Sequence, residues 1–203
     1  MWVRDLETEV EAIVGSSGCL YAVRAELHRR HLPGHLARDF SSALWAHLNG
    51  FRAVSVRDAI CFVPRAASMR VEFHRKVRTM TRGLETLFYH GRLLNPFRYG
   101  VFSVLLWSHK LIRWLVPWAL VACVAAVIPL AASAWWARGG VIALAVGLGL
   151  AALGWWWPQQ HRVPRLCSIA AYFVSGTIAG LLAWANALRG HRAPVWNPTP
   201  RAH

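Results

Sequence analysis

All nine acidic residues of this 203-residue chain lie between Asp5 and Glu85. Beyond Trp114 there are six basic residues, no acidic ones, and three long apolar runs: 115–136, 140–157 and 167–188. An uncharged run of that length has few solutions, because its backbone and side chains must all escape water together. A membrane span requires about 20 residues, within a range of roughly 17–25. The first and third runs qualify with 22 residues each, and the second, with 18, is short. The chain therefore reads as a soluble part followed by a lipid-facing part.

Charge supports that division. Lys and Arg number 23, the net charge is +14, and 17 of the 23 fall at or before Arg113. A balance this basic can mark a nucleic-acid binder. Here the excess flanks apolar spans, so membrane lipids are the expected partner and nucleic acid is not. The expected location is the cell inner (plasma) membrane, multi-pass, with the soluble part cytoplasmic. Cys19, Cys61, Cys123 and Cys167 are scattered, with neither metal-ligand nor disulfide spacing. The N-terminus MWVRDLETEVEA is acidic and polar, unlike a signal peptide.

Periodicity predicts a helix over 1–14 with Leu6, Val10 and Ile13 on one stripe. The turn GSSG (15–18) follows, then CLYAV (19–23), rich in strand formers. AELHRRHL reads as a short helix broken by PGH. Asp39 stands where an N-cap belongs, FSSALWAHL follows, and Gly50 closes the helix. FRAVSV (51–56) and AICFV, ending at Val63, are further strand candidates. Residues 68–93 predict a long basic helix. Strands and helices alternate, so residues 1–94 read as an α/β fragment. Residues 95–114 read as an interfacial amphipathic helix with Trp107 and Trp114 at headgroup depth, 115–188 as the transmembrane region, and 189–203 as a basic tail. Three spans would leave that tail opposite the soluble part, against the positive-inside tendency. Either one segment is re-entrant or interfacial, or the tail is an exception.

Three stretches in this order resemble the membrane-bound family 2 glycosyltransferases, the superfamily of cellulose and hyaluronan synthases. They are IVGSSGCLYAVRAEL (13–27), ARDFSSALWAHLNGFRAVSV (37–56), and EFHRKVRTMTRGLETL (72–87) with SHKLIRWLVP (108–117) and the tail VWNPTPR (195–201). The resemblance implies the C-terminal part of a nucleotide-sugar transferase domain. Such enzymes move a sugar from a nucleotide-sugar donor to a glycan or lipid-linked acceptor in polysaccharide biosynthesis. It further implies Mg or Mn held by an Asp-x-Asp motif. This sequence has no such motif, so the resemblance implies a truncated chain and a separate N-terminal donor-binding half.

Residue by residue, Asp39 matches the family's catalytic base, the favoured reading; helix capping alone would also explain an Asp there, and the two roles are compatible. Gly18 matches the acceptor channel, or belongs to an ordinary turn. Arg78 matches the Arg of the Gln-x-x-Arg-Trp motif, which contacts acceptor and diphosphate. Arg75 and Thr79 replace its Gln and Trp, which counts against a processive polymerase. Arg38 stands where a second acidic residue is usual. Arg75, Lys76 and Arg78 also suit a headgroup-facing helix. His28, His31 and His35 lack a further ligand and read as surface histidines, with no metal site. His109, Lys110 and Arg113 read as interfacial anchors. A non-catalytic membrane subunit or relic is the alternative to an enzyme.

Overall fold

The computed structural model describes residues 2–29, 32–63, 68–158 and 163–191. Their helices in chain order are α1 (Trp2–Val10), α2 (Ala25–His28), α3 (Arg38–Leu48), α4 (Met69–Tyr89), α5 (Pro96–Leu106), α6 (Arg113–Leu130), α7 (Trp135–Trp156) and α8 (Arg165–Leu188). A 3-10 turn, Gly91–Leu94, joins α4 to α5, and a π-helical stretch, Trp107–Ile112, joins α5 to α6.

Local chemistry sets several of these boundaries. The Ser68 side chain accepts from the Val71 N–H and starts α4. Asn95 does the same for Phe97, with Pro96 in the first turn of α5. α3 ends at an Asn49 cap, and Gly50 follows with φ +78°, a left-handed conformation that glycine adopts without a Cβ penalty. Asp39 does not cap α3. The helix starts one residue earlier, at Arg38, with Ala37 at the cap and no side-chain capping bond.

The expected α/β fragment is not formed: among the described residues there is no strand. Residues 19–23, 51–56 and the AICFV run are irregular, although rich in strand formers. Their apolar side chains stay outside, with Val54, Val56 and Ile60 exposed and Phe62 92% exposed. Strand propensity expresses itself only where a neighbour completes a ladder, and isolated short strands are not stable. Here no ladder forms: the Ala53 carbonyl accepts from the Ile13 N–H at 2.9 Å, the Ser55 N–H donates to Thr8 Oγ1 at 3.0 Å, and Cys61 Sγ approaches the Cys19 carbonyl at 3.9 Å. The N-terminal helix is also shorter than predicted. It stops at Val10, and Ala12, Ile13 and Val14 enter the core as irregular chain.

Among the described residues three helical stretches are long and apolar enough to cross a membrane: Pro96–Leu130, Trp135–Trp156 and Arg165–Leu188. The short second run reaches full length because residues 135–139 join it as helix. The basic tail, with its VWNPTPR match, lies outside the described residues, as does His31.

The core forms where the soluble elements meet the ends of α6 and α8. It comprises Ala12 and Val14 of the chain after α1, Phe40 and Leu44 of α3, Leu84 and Leu87 of α4, Leu93 of the 3-10 turn, Phe102 and Leu106 of α5, Trp114 of α6 and Ala183 of α8. Trp114, expected at headgroup depth, is 5% exposed. Its ring meets Phe40 edge-on at 5.9 Å, and its carbonyl accepts from Trp184 Nε1 at 2.8 Å. Trp107 does remain exposed, donating to the Leu94 carbonyl. α4 lies along α8, placing charged and apolar helices in direct contact.

Two stability outcomes follow. A Cβ at Gly83 would stand 2.7 Å from Trp114 Cζ2. Gly83→Ala should cost about 1–3 kcal/mol by overpacking, measured by thermal unfolding in detergent; an unchanged midpoint contradicts that packing. His90 is 2% exposed and its ring nitrogen is 2.9 Å from Ser41 Oγ. Burial, helped by the Arg92 charge, lowers its pKa from 6.5 to about 4. Between these values the unfolded chain binds more protons than the folded one. Stability is therefore full above pH 6.5 and falls as pH drops towards 4, by up to about 3 kcal/mol. Unfolding midpoints measured from pH 7 to 4.5 should fall, and His90→Gln should flatten the part of the slope that His90 supplies.

Candidate functional site

The GSSG turn packs against the start of α3 and the π-helical stretch. Gly18 lies directly against the Asp39 carboxylate, since a Cβ there would be 2.9 Å from Asp39 Oδ2. Gly15 lies equally close to the Lys110 ammonium, 2.8 Å from a would-be Cβ, and 3.3 Å from the Phe40 ring. Residues 21 and 95 positions apart in sequence are thereby gathered around one turn. Both approaches require the missing side chain of glycine.

Asp39 is half-buried and, among the described residues, its carboxylate accepts no hydrogen bond and joins no ion pair. It sits in the first turn of α3, where the helix dipole favours a negative charge. Cations surround it at longer range. Lys110 Nζ stands 4.7 Å from the centre of the Phe40 ring, a cation–π approach, and its charge feels Arg113, Asp39 and Glu7. Arg82 donates to the carbonyls of Gly34 (3.0 Å) and Leu36 (2.6 Å), fixing the loop that leads into α3. Burial lowers the Arg82 pKa, and the Asp39 charge opposes that shift. Its Nε is buried without a partner. A cation held half out of water near a carboxylate costs desolvation energy, an arrangement found at functional sites and in structural ion-pair networks alike.

The remaining sequence-predicted residues divide. Arg78 lies half-buried on α4 one turn before Arg82, and their charges interact. Arg75 is committed to Glu72 through two hydrogen bonds of 2.8 and 2.6 Å on an exposed face. The Glu72 partner raises the Arg75 pKa, and the same hydrogen bond lowers that of Glu72. Arg75 is therefore less available to a ligand than the resemblance implies.

Lys110 and Arg82 escaped the sequence reading as site residues. Lys110 looked like one of several interfacial anchors. Lys110 is carried by the π-helical stretch, a feature frequent at functional sites. His109 is held by buried Glu7 through a very short side-chain contact that ties α1 to this stretch. A cavity of about 660 Å³ opens here, lined by Arg4, Glu7, Gly15, Ser108, Lys110 and Arg113, among others.

Among the described residues no three His, Cys, Asp or Glu side chains converge to hold a metal ion. Glu7 is engaged by His109 and Glu72 by Arg75.

Comparison with protein-family models, with curated proteins and with solved structures finds no match to this chain.

Gly18→Ala should displace the Asp39 carboxylate with little effect on stability, because only the far end of a side chain must move. Reaction of Asp39 with a water-soluble carbodiimide, read by peptide mass spectrometry, should change severalfold in the variant. An unchanged rate would contradict the contact.

Proposed function

We propose that the chain supplies the acceptor-activating side of a membrane-bound glycosyl transfer, in the manner of the family 2 glycosyltransferases. The observation that carries this reading is an uncommitted carboxylate, Asp39, held against a glycine turn and flanked by Lys110 and Arg82 next to apolar helices, with Arg78 one turn before Arg82 on α4. In this chemistry the Asp39 carboxylate takes the proton of an acceptor hydroxyl as that oxygen attacks the anomeric carbon of the donor sugar. The bond from the anomeric carbon to the diphosphate breaks, and the nucleoside diphosphate leaves with the electron pair. Arg78, with Lys110 and Arg82 nearby, offsets the charge that develops on the phosphate oxygens. The divalent ion and the nucleotide would come with a donor-binding half carrying Asp-x-Asp, and no step is assigned to a metal on this chain.

The proposed setting is the inner (plasma) membrane with the site on the cytoplasmic side, where nucleotide sugars are made and where Lys and Arg accumulate. The acceptor is then a glycan or lipid-linked molecule reaching the site from the bilayer surface.

The test is label transfer from UDP-sugars in membranes carrying the chain together with a donor-binding half. Asp39→Asn should lower the rate by about 10²–10⁴-fold, the usual contribution of a positioned base. Equal rates with and without that substitution would remove Asp39 from this role. Absence of transfer by the unaltered chain would reject the reading and favour a non-catalytic membrane subunit.

A further inference from the structure

The three long apolar helices differ in how their surfaces are covered. Only Trp114 and Pro117 of α6 are buried, and only Ala137, Ala151 and Gly154 of α7. Helices that are apolar all round and left bare belong in lipid. α8 is two-faced. Ala171, Ser175, Ala179 and Ala183 are buried inside the protein, while Leu166, Ile169, Phe173 and Ile178 point outwards.

Contacts at the ends of α8 are more decisive. α6 and α7 are joined by the tight turn 131–134, so a crossing hairpin returns the end of α7 to the surface from which α6 left. α8 touches both of those returning ends. Near its start, the Cys167 carbonyl packs on Gly154 of α7; further along, Gly180 packs on Pro117 of α6. These two contacts lie about 20 Å apart along α8, at 1.5 Å per residue. A spanning helix has its ends at opposite surfaces, whereas α8 meets this surface of the hairpin near its start, at Gly180, and again at Trp184, four residues from its end, whose indole donates to the Trp114 carbonyl.

α4 supplies an independent constraint. It follows α8 in the same direction: the Lys76 ammonium is 3.2 Å from the centre of the Tyr172 ring, the Met80 methyl lies near Gly180, and Phe88 meets Trp184 at 5.8 Å. α4 also carries Arg70, Arg75, Arg78 and Arg82. If α8 crossed the bilayer, this row of charge would be carried into hydrocarbon, which excludes it.

We infer that the chain crosses the bilayer twice, through α6 and α7, and that α8 lies flat in the headgroup layer. Its outward apolar face rests on the acyl chains and α4 covers its water side. The partner that this helix pair fits is an anionic lipid surface, with apolar side chains below and Arg and Lys at phosphate level. Residues before α6 and after α8 then share one side. Of the basic residues in the described segments, Arg138 alone is on the other. That is the distribution expected of a cytoplasmic site, and the parity conflict of three spans disappears. The inference is independent of any transfer chemistry.

Single cysteines at positions 58, 133 and 191, in a chain whose four native cysteines are replaced by serine or alanine, test it with a membrane-impermeant maleimide on sealed vesicles. Positions 58 and 191 should react from one side and 133 from the other. Reaction of 191 together with 133 would overturn the inference. A reporter enzyme fused after His203, with all cysteines intact, gives the same reading where the replaced chain folds poorly. Spin labels at Leu166, Phe173, Ile178 and Leu188 should report one shallow depth. A depth maximum at mid-helix would mean that α8 crosses.

Discussion

Trp114 holds the molecule together where its two parts meet. Its ring fills the space left by Gly83 on α4 and meets Phe40 on α3. Its carbonyl receives the Trp184 indole of α8. One residue at the start of α6 thus fixes the helix that carries Asp39, the basic helix and the end of α8. Aromatic side chains dominate core energetics through area and edge-to-face geometry. Here one of them couples the site to the apolar helices.

The site inherits its geometry from that junction. Phe40 is the residue after Asp39, so anchoring its ring anchors the first turn of α3. The same ring supports the Lys110 ammonium, and Arg82, one position before Gly83, ties down the loop ahead of α3. The carboxylate, the flanking cations and the glycine turn are therefore held by one packed cluster, at the boundary between polar and apolar segments.

Part of this was legible in the chain. The apolar runs, the Gly50 stop and the Ser68 start of α4 are local signals, and local chemistry fixed them. Asp39 and Gly18 could be singled out, and the fold brings them together. The strands could not be ruled out, because CLYAV and FRAVSV have strand composition and only the absence of a pairing neighbour leaves them irregular. Trp114 was misread for a related reason: tryptophan suits a headgroup layer and a core equally well, and its surroundings decide.

Charge and hydropathy act residue by residue, so the order of amino acids alone dictates a basic, water-facing part and three helices apolar enough for lipid. Folding in three dimensions adds what that order leaves open: Lys110 and Arg82 stand beside Asp39, Arg75 is bound to Glu72, and α4 runs along α8. Most of those outcomes depend on contacts between residues far apart in the chain, where packing and desolvation, not local propensity, choose the partner.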